Sequence, residues 1–400
     1  MRVALVCAHI SPSARSNQPA VGTHRHVARA AAELAGRGHD VRVYERRDDP
    51  RLPRTTTEPP GYLVERVPVG PAGWAPIREI LPHVPEFGRW LTGRWAGDWA
   101  PEVVHGHFWI SGLAAASAVR ETSIPVVQTF HSLGVEQLRH LGPDYAGPGE
   151  RIALERALIR AVDLAVAQST DEVDELTRMG LQRSAAAVVP AGVDTEIFSP
   201  EGEATARTDR PRIVSVGSLQ PGQGSEDLIR AVRLVGDAEL VIVGGPTGAD
   251  LGGHDEARRL RDLAEQTGIG EQVRLIGAVP NHELPGWYRS ADVVASTPRY
   301  ACAGRVALEA MACGVPVVGY ALGGTADMVV DEVTGELVAP GDVRALGMTL
   351  RRLLGDDAQR FAYGHAAVDR ARCSYTWDRA AAALERIYER VVAYRQPVVA

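Results

Sequence analysis

The chain has 400 residues, enough for two α/β domains rather than one, and its 45% hydrophobic and 23% charged residues are those of a globular protein. Its net charge of −7 argues against a nucleic-acid scaffold and against binding to an anionic membrane surface. All 43 basic residues are arginine, which excludes both a Schiff-base lysine and a P-loop lysine.

In the first half, short apolar runs alternate with longer helical patterns, the signature of parallel sheets with crossover helices. The opening MRVALVCAHI reads as a strand over 3–7, without the small-residue cleavage site of a signal peptide. A helix over 22–36 follows, with 27–34 as its buried face, and then a strand over 41–44. Residues 48–85 are rich in Pro, Gly and Arg and read as loop with one short strand at 62–67. Next come a strand at 102–105, a helix at 112–120, a strand at 125–129, a helix at 150–162 and a strand at 164–168. Thr170 is expected to cap a helix that ends at Arg178. Residues 188–211 contain Pro190, Gly192 and Pro200 and few periodic apolar positions, which places a domain boundary at 195/196.

The second half restarts the pattern. Strands are expected at 212–216, 239–243, 273–276, 293–296 and 315–318, and helices at 226–234, 255–267, 282–290, 304–312 and 342–354. An amphipathic helix within 377–400 closes the chain and is assigned as a separate element packing back on the first domain. Cys7, Cys302, Cys313 and Cys373 form neither a CxxC pair nor a zinc spacing. Cys7 and Cys313 are expected to be buried thiols, and a reducing cytoplasm fits this usage. No apolar run reaches the length of a membrane span. In such sheets ligands sit beyond the carboxyl ends of the strands, so the loops at 8–23, 105–111, 131–134, 217–224, 244–247 and 297–304 are expected to line one crevice.

Several of these loops carry motifs of one family. VALEAMACGVPVV at 306–318, preceded by Gly304, resembles the donor-site helix of family 4 GT-B glycosyltransferases. VGSLQPGQGSEDLIRAV resembles the family's phosphate loop, PAGVDTEIFSP its domain linker and GGTADMVVDEVTGELV the next strand-loop unit. VVHGHFWISG, PVVQTFHSLG and TDEVDEL resemble the branch containing sucrose-phosphate synthase and the mycothiol-pathway glycosyltransferase. The resemblance implies a GT-B fold: two doubly wound, Rossmann-like parallel-sheet domains flanking an inter-domain cleft, the first binding acceptor and the second the nucleotide sugar. It also implies retaining transfer of a sugar from a GDP- or UDP-type donor to a small-molecule acceptor, without metal or other cofactor. Catalysis is then mainly placement of the reactants and stabilisation of the departing diphosphate.

By the same resemblance, Glu309 accepts the ribose hydroxyls, and a carboxylate suits a diol. Its usual partner glutamate is replaced by Ala301, and the basic positions of the phosphate loop around Gly217 are Ser218 and Gln223. Arg305, in the first turn of the Glu309 helix, is the candidate replacement cation, with Arg299 as a second. Gly22 stands at the family's tight turn before the first helix. His131 aligns with a histidine that lies against the donor sugar, which makes it, with Arg305, a candidate catalytic residue. Thr129, Phe108, Arg78 and His24 fall where inositol-phosphate-using relatives bind acceptor. Three of those four differ in type from the relatives, so an acceptor other than inositol phosphate is expected. His105 and His107 read as packing or acceptor-lining groups, since no carboxylate joins them in a metal site.

Two functions fit these departures. One is an active transferase of specialised, antibiotic-type metabolism, with a thiol among the candidate acceptors. The other is a catalytically degenerate GT-B protein that binds a nucleotide sugar or a partner enzyme. A homodimer is compatible with either.

Overall fold

A computed structural model describes residues 1–9, 21–300 and 303–395. The chain divides into two compact units. Unit 1 takes Met1–Leu138, Tyr145–Pro190 and the residues from Trp377 onward; unit 2 takes Arg139–Asp144 and Ala191–Thr376.

Unit 1 is built on an eight-stranded sheet of order β3-β4-β2-β1-β5-β6-β7-β8. Its strands are β1 (Arg2–Cys7), β2 (Asp40–Arg46), β3 (Thr55–Glu58), β4 (Tyr62–Val67), β5 (Val103–His107), β6 (Val126–Thr129), β7 (Leu164–Ala167) and β8 (Ala186–Val188). Its helices are α1 (Val21–Gly36), α2 (Ile77–Ile80), α3 (Val84–Trp95), α4 (Trp109–Ala118), α5 (Gly134–Leu141), α6 (Arg151–Ile159) and α7 (Thr170–Arg178). All strand pairs are parallel except the edge pair of β3 with β4. The central strand β1 is an unbroken apolar run because both its faces are covered. Ala4 and Val6 join a core with Phe87, Leu91 and Trp109, whereas Val3 and Leu5 pack with Val27, Leu34, Leu384 and Tyr388.

Unit 2 repeats the plan with a six-stranded, wholly parallel sheet of order β11-β10-β9-β12-β13-β14. Its strands are β9 (Arg212–Val216), β10 (Glu239–Thr247), β11 (Val273–Ala278), β12 (Val293–Ser296), β13 (Val317–Tyr320) and β14 (Gly335–Val338). Its helices are α8 (Ser225–Val232), α9 (Asp255–Gln266), α10 (Leu284–Arg289), α11 (Arg305–Ala312), α12 (Gly323–Met328), α13 (Val343–Leu354) and α14 (Asp357–Ser374). The last helix, α15 (Trp377–Arg395), buries Ala380, Ala381, Leu384, Ile387, Tyr388 and Val391, a stripe at helical spacing, in unit 1.

Some local expectations change. The 48–85 stretch holds β3 and α2 as well as the anticipated strand, and α3 begins at its end. The sequence of α3 hides its helix behind Pro85, Gly88 and Gly93. Gly88 has a reason to be there: a Cβ would overlap the Ser117 hydroxyl, so α3 and α4 cross where only glycine fits. The cap of α7 is Ser169, not Thr170; its hydroxyl accepts from the Glu172 N–H at 3.2 Å. Cys7 and Cys313 are buried free thiols, and burial raises both their pKa values.

Candidate active site

In unit 2 the chemistry gathers at the carboxyl ends of β9 and β12. The loop leaving β9 turns through Gly222 and Gly224, both at positive φ, and Gly224 is the N-cap of α8. A Cβ at Gly224 would overlap the Thr297 carbonyl, so this loop and the end of β12 touch backbone to backbone. The Arg299 N–H donates to Gly222 O at 2.8 Å, and Gln223 Nε2 donates to the Tyr300 hydroxyl at 2.7 Å. Asp227, fully buried on α8, accepts from Arg299 Nε at 2.8 Å, from a second Arg299 N–H, and from the Tyr320 hydroxyl at 2.9 Å. The Arg299 guanidinium is therefore engaged by Asp227, with half of its side chain exposed, and its pKa is raised by this hydrogen bond. Pulling it onto a ligand would leave a buried carboxylate without its cation.

The helix α11 starts from Gly304 at φ +67°, with no side chain capping its first N–H groups. A Cβ at Gly304 would collide with the Gly324 backbone, which fixes the start of α11 against α12. One turn in, Glu309 is 5% exposed and accepts the Tyr288 hydroxyl at 2.8 Å. Burial, reinforced by this carboxylate, drives the Tyr288 pKa well above its ordinary value, so the phenol stays a donor. Arg305 Nε lies 3.6 Å from Glu309 Oε1, an ion pair whose arginine keeps 39% of its side chain exposed. An uncapped helix N-terminus, a half-exposed guanidinium and a buried carboxylate thus share one helix. Ser218 is exposed on the β9 loop. Gly217 closes β9 through its N–H to Val243 O at 3.0 Å. Ala301 lies outside the described residues.

Unit 1 holds a different constellation. His105 and His107 on β5 are fully buried, with ring centroids 4.2 Å apart and the planes tilted by 31°. His105 is bonded to the Tyr388 hydroxyl at 2.7 Å and to Thr129 Oγ1 at 2.8 Å. His107 Nδ1 meets His131 Nε2 at 3.1 Å, and His131 Nδ1 meets Gln168 Oε1 at 3.3 Å. The amide oxygen can only accept, so His131 carries its proton on Nδ1 and accepts at Nε2 from His107 Nδ1–H. Gln168 Nε2 reaches His26 Nδ1 at 3.4 Å, which extends the chain to α1. Desolvation, and then the neighbouring imidazoles, hold His107 and His131 well below the ordinary histidine pKa; burial lowers His105 to about 3. These rings are neutral near pH 7. His131 sits at φ +62° and Phe108 at φ +71°, conformations that cost side-chain-bearing residues energy and cluster at functional sites.

The remaining residues expected on the acceptor side divide. Phe108 lies between His9, stacked at 4.2 Å, and the Arg151 guanidinium, 5.2 Å from its ring centre. His24 on α1 is buried, with its pKa lowered to about 4 by desolvation. Thr129 is buried and committed to His105, so its hydroxyl faces the interior of the unit. Arg78 is exposed on α2. Gly22 lies inside the first turn of α1, not in a turn before it. Among the described residues there is no group of three or more His, Cys, Asp or Glu able to hold a metal. Sequence reasoning did not find His9, His26, Gln168, Tyr288, Asp227 and Tyr388. Of these, only the His24-x-His26 spacing gave a local signal, because the partners are far apart in the chain.

Comparison with known proteins gives this geometry its context. The family described as "Glycosyltransferase Family 4" matches residues 21–197, and "Glycosyl transferases group 1" matches residues 200–370. A D-inositol 3-phosphate glycosyltransferase of Xylanimonas cellulosilytica is 33% identical, over 97% of this chain and 96% of its own. One from Catenulispora acidiphila is 34% identical, over 98% and 96%. Among solved structures, sucrose-phosphate synthase from Thermosynechococcus elongatus aligns with a TM-score of 0.88 at 26% identity, over 98% of this chain and 99% of that one. Anabaena HepE, solved in complex with UDP and glucose, shares the fold at a TM-score of 0.73 and 17% identity, over 98% and 100%. Two parallel-sheet α/β units, matched along their length by these proteins, make this chain a GT-B glycosyltransferase of family 4.

Proposed function

We propose that the enzyme moves a sugar from a nucleoside diphosphate sugar, of UDP or GDP type, to a small-molecule acceptor with retention and without a metal ion. The observation that carries this reading is the composition of α11, where uncapped N–H groups, Arg305 and Glu309 lie within two turns. Glu309 has lone pairs beyond the one taken by Tyr288, enough to accept ribose hydroxyls. The helix N-terminus and Arg305 take the diphosphate and stabilise its charge as the sugar–oxygen bond breaks. The acceptor attacks the anomeric carbon on the face the diphosphate leaves, and its proton passes to the departing phosphate oxygen. Arg299 acts as a strut for the loop through Asp227 rather than as a phosphate ligand.

His131 serves the acceptor side as a neutral, orientation-locked group whose strained backbone the surrounding histidines hold in place. The acceptor is a molecule other than inositol phosphate, drawn from specialised, antibiotic-type metabolism, with a thiol as a candidate nucleophile. Such a nucleophile tolerates weaker activation of the leaving group. UDP-dependent and GDP-dependent sugar donors, each titrated by calorimetry and then assayed for nucleotide release, test the reading. Absence of binding by either class would reject it.

A further inference from the structure

Tyr288, on α10, is fully buried in the core that α11 enters through Leu308 and Met311. Its ring centre lies 6.0 Å from that of Phe198, with the planes at 62°. A phenylalanine would fill this place with the same apolar surface and without a hydroxyl to desolvate. The hydroxyl therefore calls for a reason. It donates to Glu309 Oε2 at 2.8 Å, and among the described residues this is the only hydrogen bond to the Glu309 carboxylate.

A competitor for that carboxylate stands one turn back on the same helix. Arg305 Nε is 3.6 Å from Glu309 Oε1, near enough to attract and too far for a hydrogen bond. Oppositely charged side chains four residues apart on a helix draw together. A carboxylate pinned at Oε2 by a donor set in the core cannot turn to close that gap. The phenol thus keeps the anion and the cation of α11 apart, each with capacity to spare for a ligand.

We propose that Tyr288 is a positioning residue for nucleotide binding: its hydroxyl fixes the Glu309 carboxylate for the ribose and keeps it from closing on Arg305. This rests on the reading of α11 as the nucleotide-sugar site and adds to it the group that sets the site before the ligand arrives. Tyr288, fully buried, acts through Glu309. Without its hydroxyl, the buried Oε2 has no donor. The carboxylate then turns onto Arg305, and the groups meant for ribose and diphosphate neutralise each other.

The test is calorimetry on the full chain as wild type, Tyr288→Phe, Glu309→Gln and the double variant. The probes are UDP and GDP with their 2′-deoxy and 3′-deoxy forms. Wild type should bind one of the two nucleotides and prefer it to at least one of its deoxy forms by roughly 10-fold or more. In Tyr288→Phe the affinity should fall roughly 5- to 20-fold and the preference for the intact ribose should shrink to within about threefold. With glutamine at 309, Tyr288→Phe should change affinity by less than about twofold, because no carboxylate is left to hold. A role in packing alone would weaken binding equally in both backgrounds and leave the ribose preference untouched; either result overturns the proposal. Melting temperatures check the fold. Were Tyr288→Phe alone unfolded, the double variant, which buries no charge at this place, is compared with Glu309→Gln, and a gap well above about twofold overturns the proposal. An unchanged ribose preference in Tyr288→Phe beside a clear one in wild type rejects the positioning role and leaves the donor reading standing. Absence of binding of either nucleotide by wild type rejects the donor reading, and this role with it.

Discussion

Replacing Arg305 separates chemistry from stability. Its guanidinium stands 3.6 Å from Glu309, beyond hydrogen-bond length, and the side chain is 39% exposed. A pair of that kind contributes about 0–1 kcal/mol to folding. Glu309 keeps its bond from Tyr288 when the arginine is gone. The Arg305→Ala protein should therefore melt within a few degrees of wild type. A charge-assisted hydrogen bond to phosphate, in contrast, contributes about 1.5–3 kcal/mol. At about 1.4 kcal/mol per decade, its loss lowers kcat/KM by roughly 10- to 150-fold. Arg305→Lys keeps the charge without the fork and should fall between. Nucleotide release from whichever UDP- or GDP-sugar the wild type turns over is the assay. A kcat/KM within twofold of wild type in the folded alanine variant would refute the assignment of Arg305 to the diphosphate.

Other consequences follow from the same geometry. Arg299→Met leaves Asp227 buried with only Tyr320 as donor and should cost about 3 kcal/mol in urea unfolding. Asp227→Ala should cost less, because the arginine it frees is half exposed. Gly224→Ala places a Cβ on the Thr297 carbonyl at positive φ; the expected result is lost nucleotide binding or a markedly lower melting temperature. The buried histidines also set a pH dependence. Their folded pKa values lie below the ordinary 6.5, to about 3 for His105 and about 4 for His24, so the unfolded chain binds more protons. Their contribution is present above pH 6.5 and is lost as pH falls through the folded values, at about 1.4 kcal/mol per pH unit for each. Glu172 acts in the opposite sense: burial raises it to about 7, so its contribution is lost as pH rises from about 4.5 to 7. In urea unfolding from pH 7 to 4, His105→Asn should be less stable at pH 7 yet show a shallower acid slope; an unchanged slope would contradict the account.

The central strands were legible because apolar runs such as VALVC must be covered on both faces of a parallel sheet, and that need shows in the sequence; the short edge strands β3 and β8 carry no such run and were not. The α3 helix was not, because Gly88 serves a helix crossing that only the folded structure reveals. The α11 helix was legible because Gly304, Arg305 and Glu309 are close in sequence, and their relation depends on helical spacing alone. The histidine chain was hidden. His26, His107, His131, Gln168 and Tyr388 come from α1, β5, the loops after β6 and β7, and α15, and no local pattern links them. The partner of Arg299 was hidden for a similar cause. As a cation in a loop expected to face phosphate it suggested a ligand, and its partner Asp227 lies on another element, α8.

The central claim is that α11 binds a nucleoside diphosphate sugar through Glu309. Calorimetric titration of wild type and Glu309→Gln with UDP and GDP tests it most directly. The account predicts that one nucleotide binds the wild type and that the glutamine variant, still folded through its Tyr288 contact, binds it at least tenfold more weakly. Equal affinity in the two proteins, or no affinity of the wild type for either nucleotide, would contradict it.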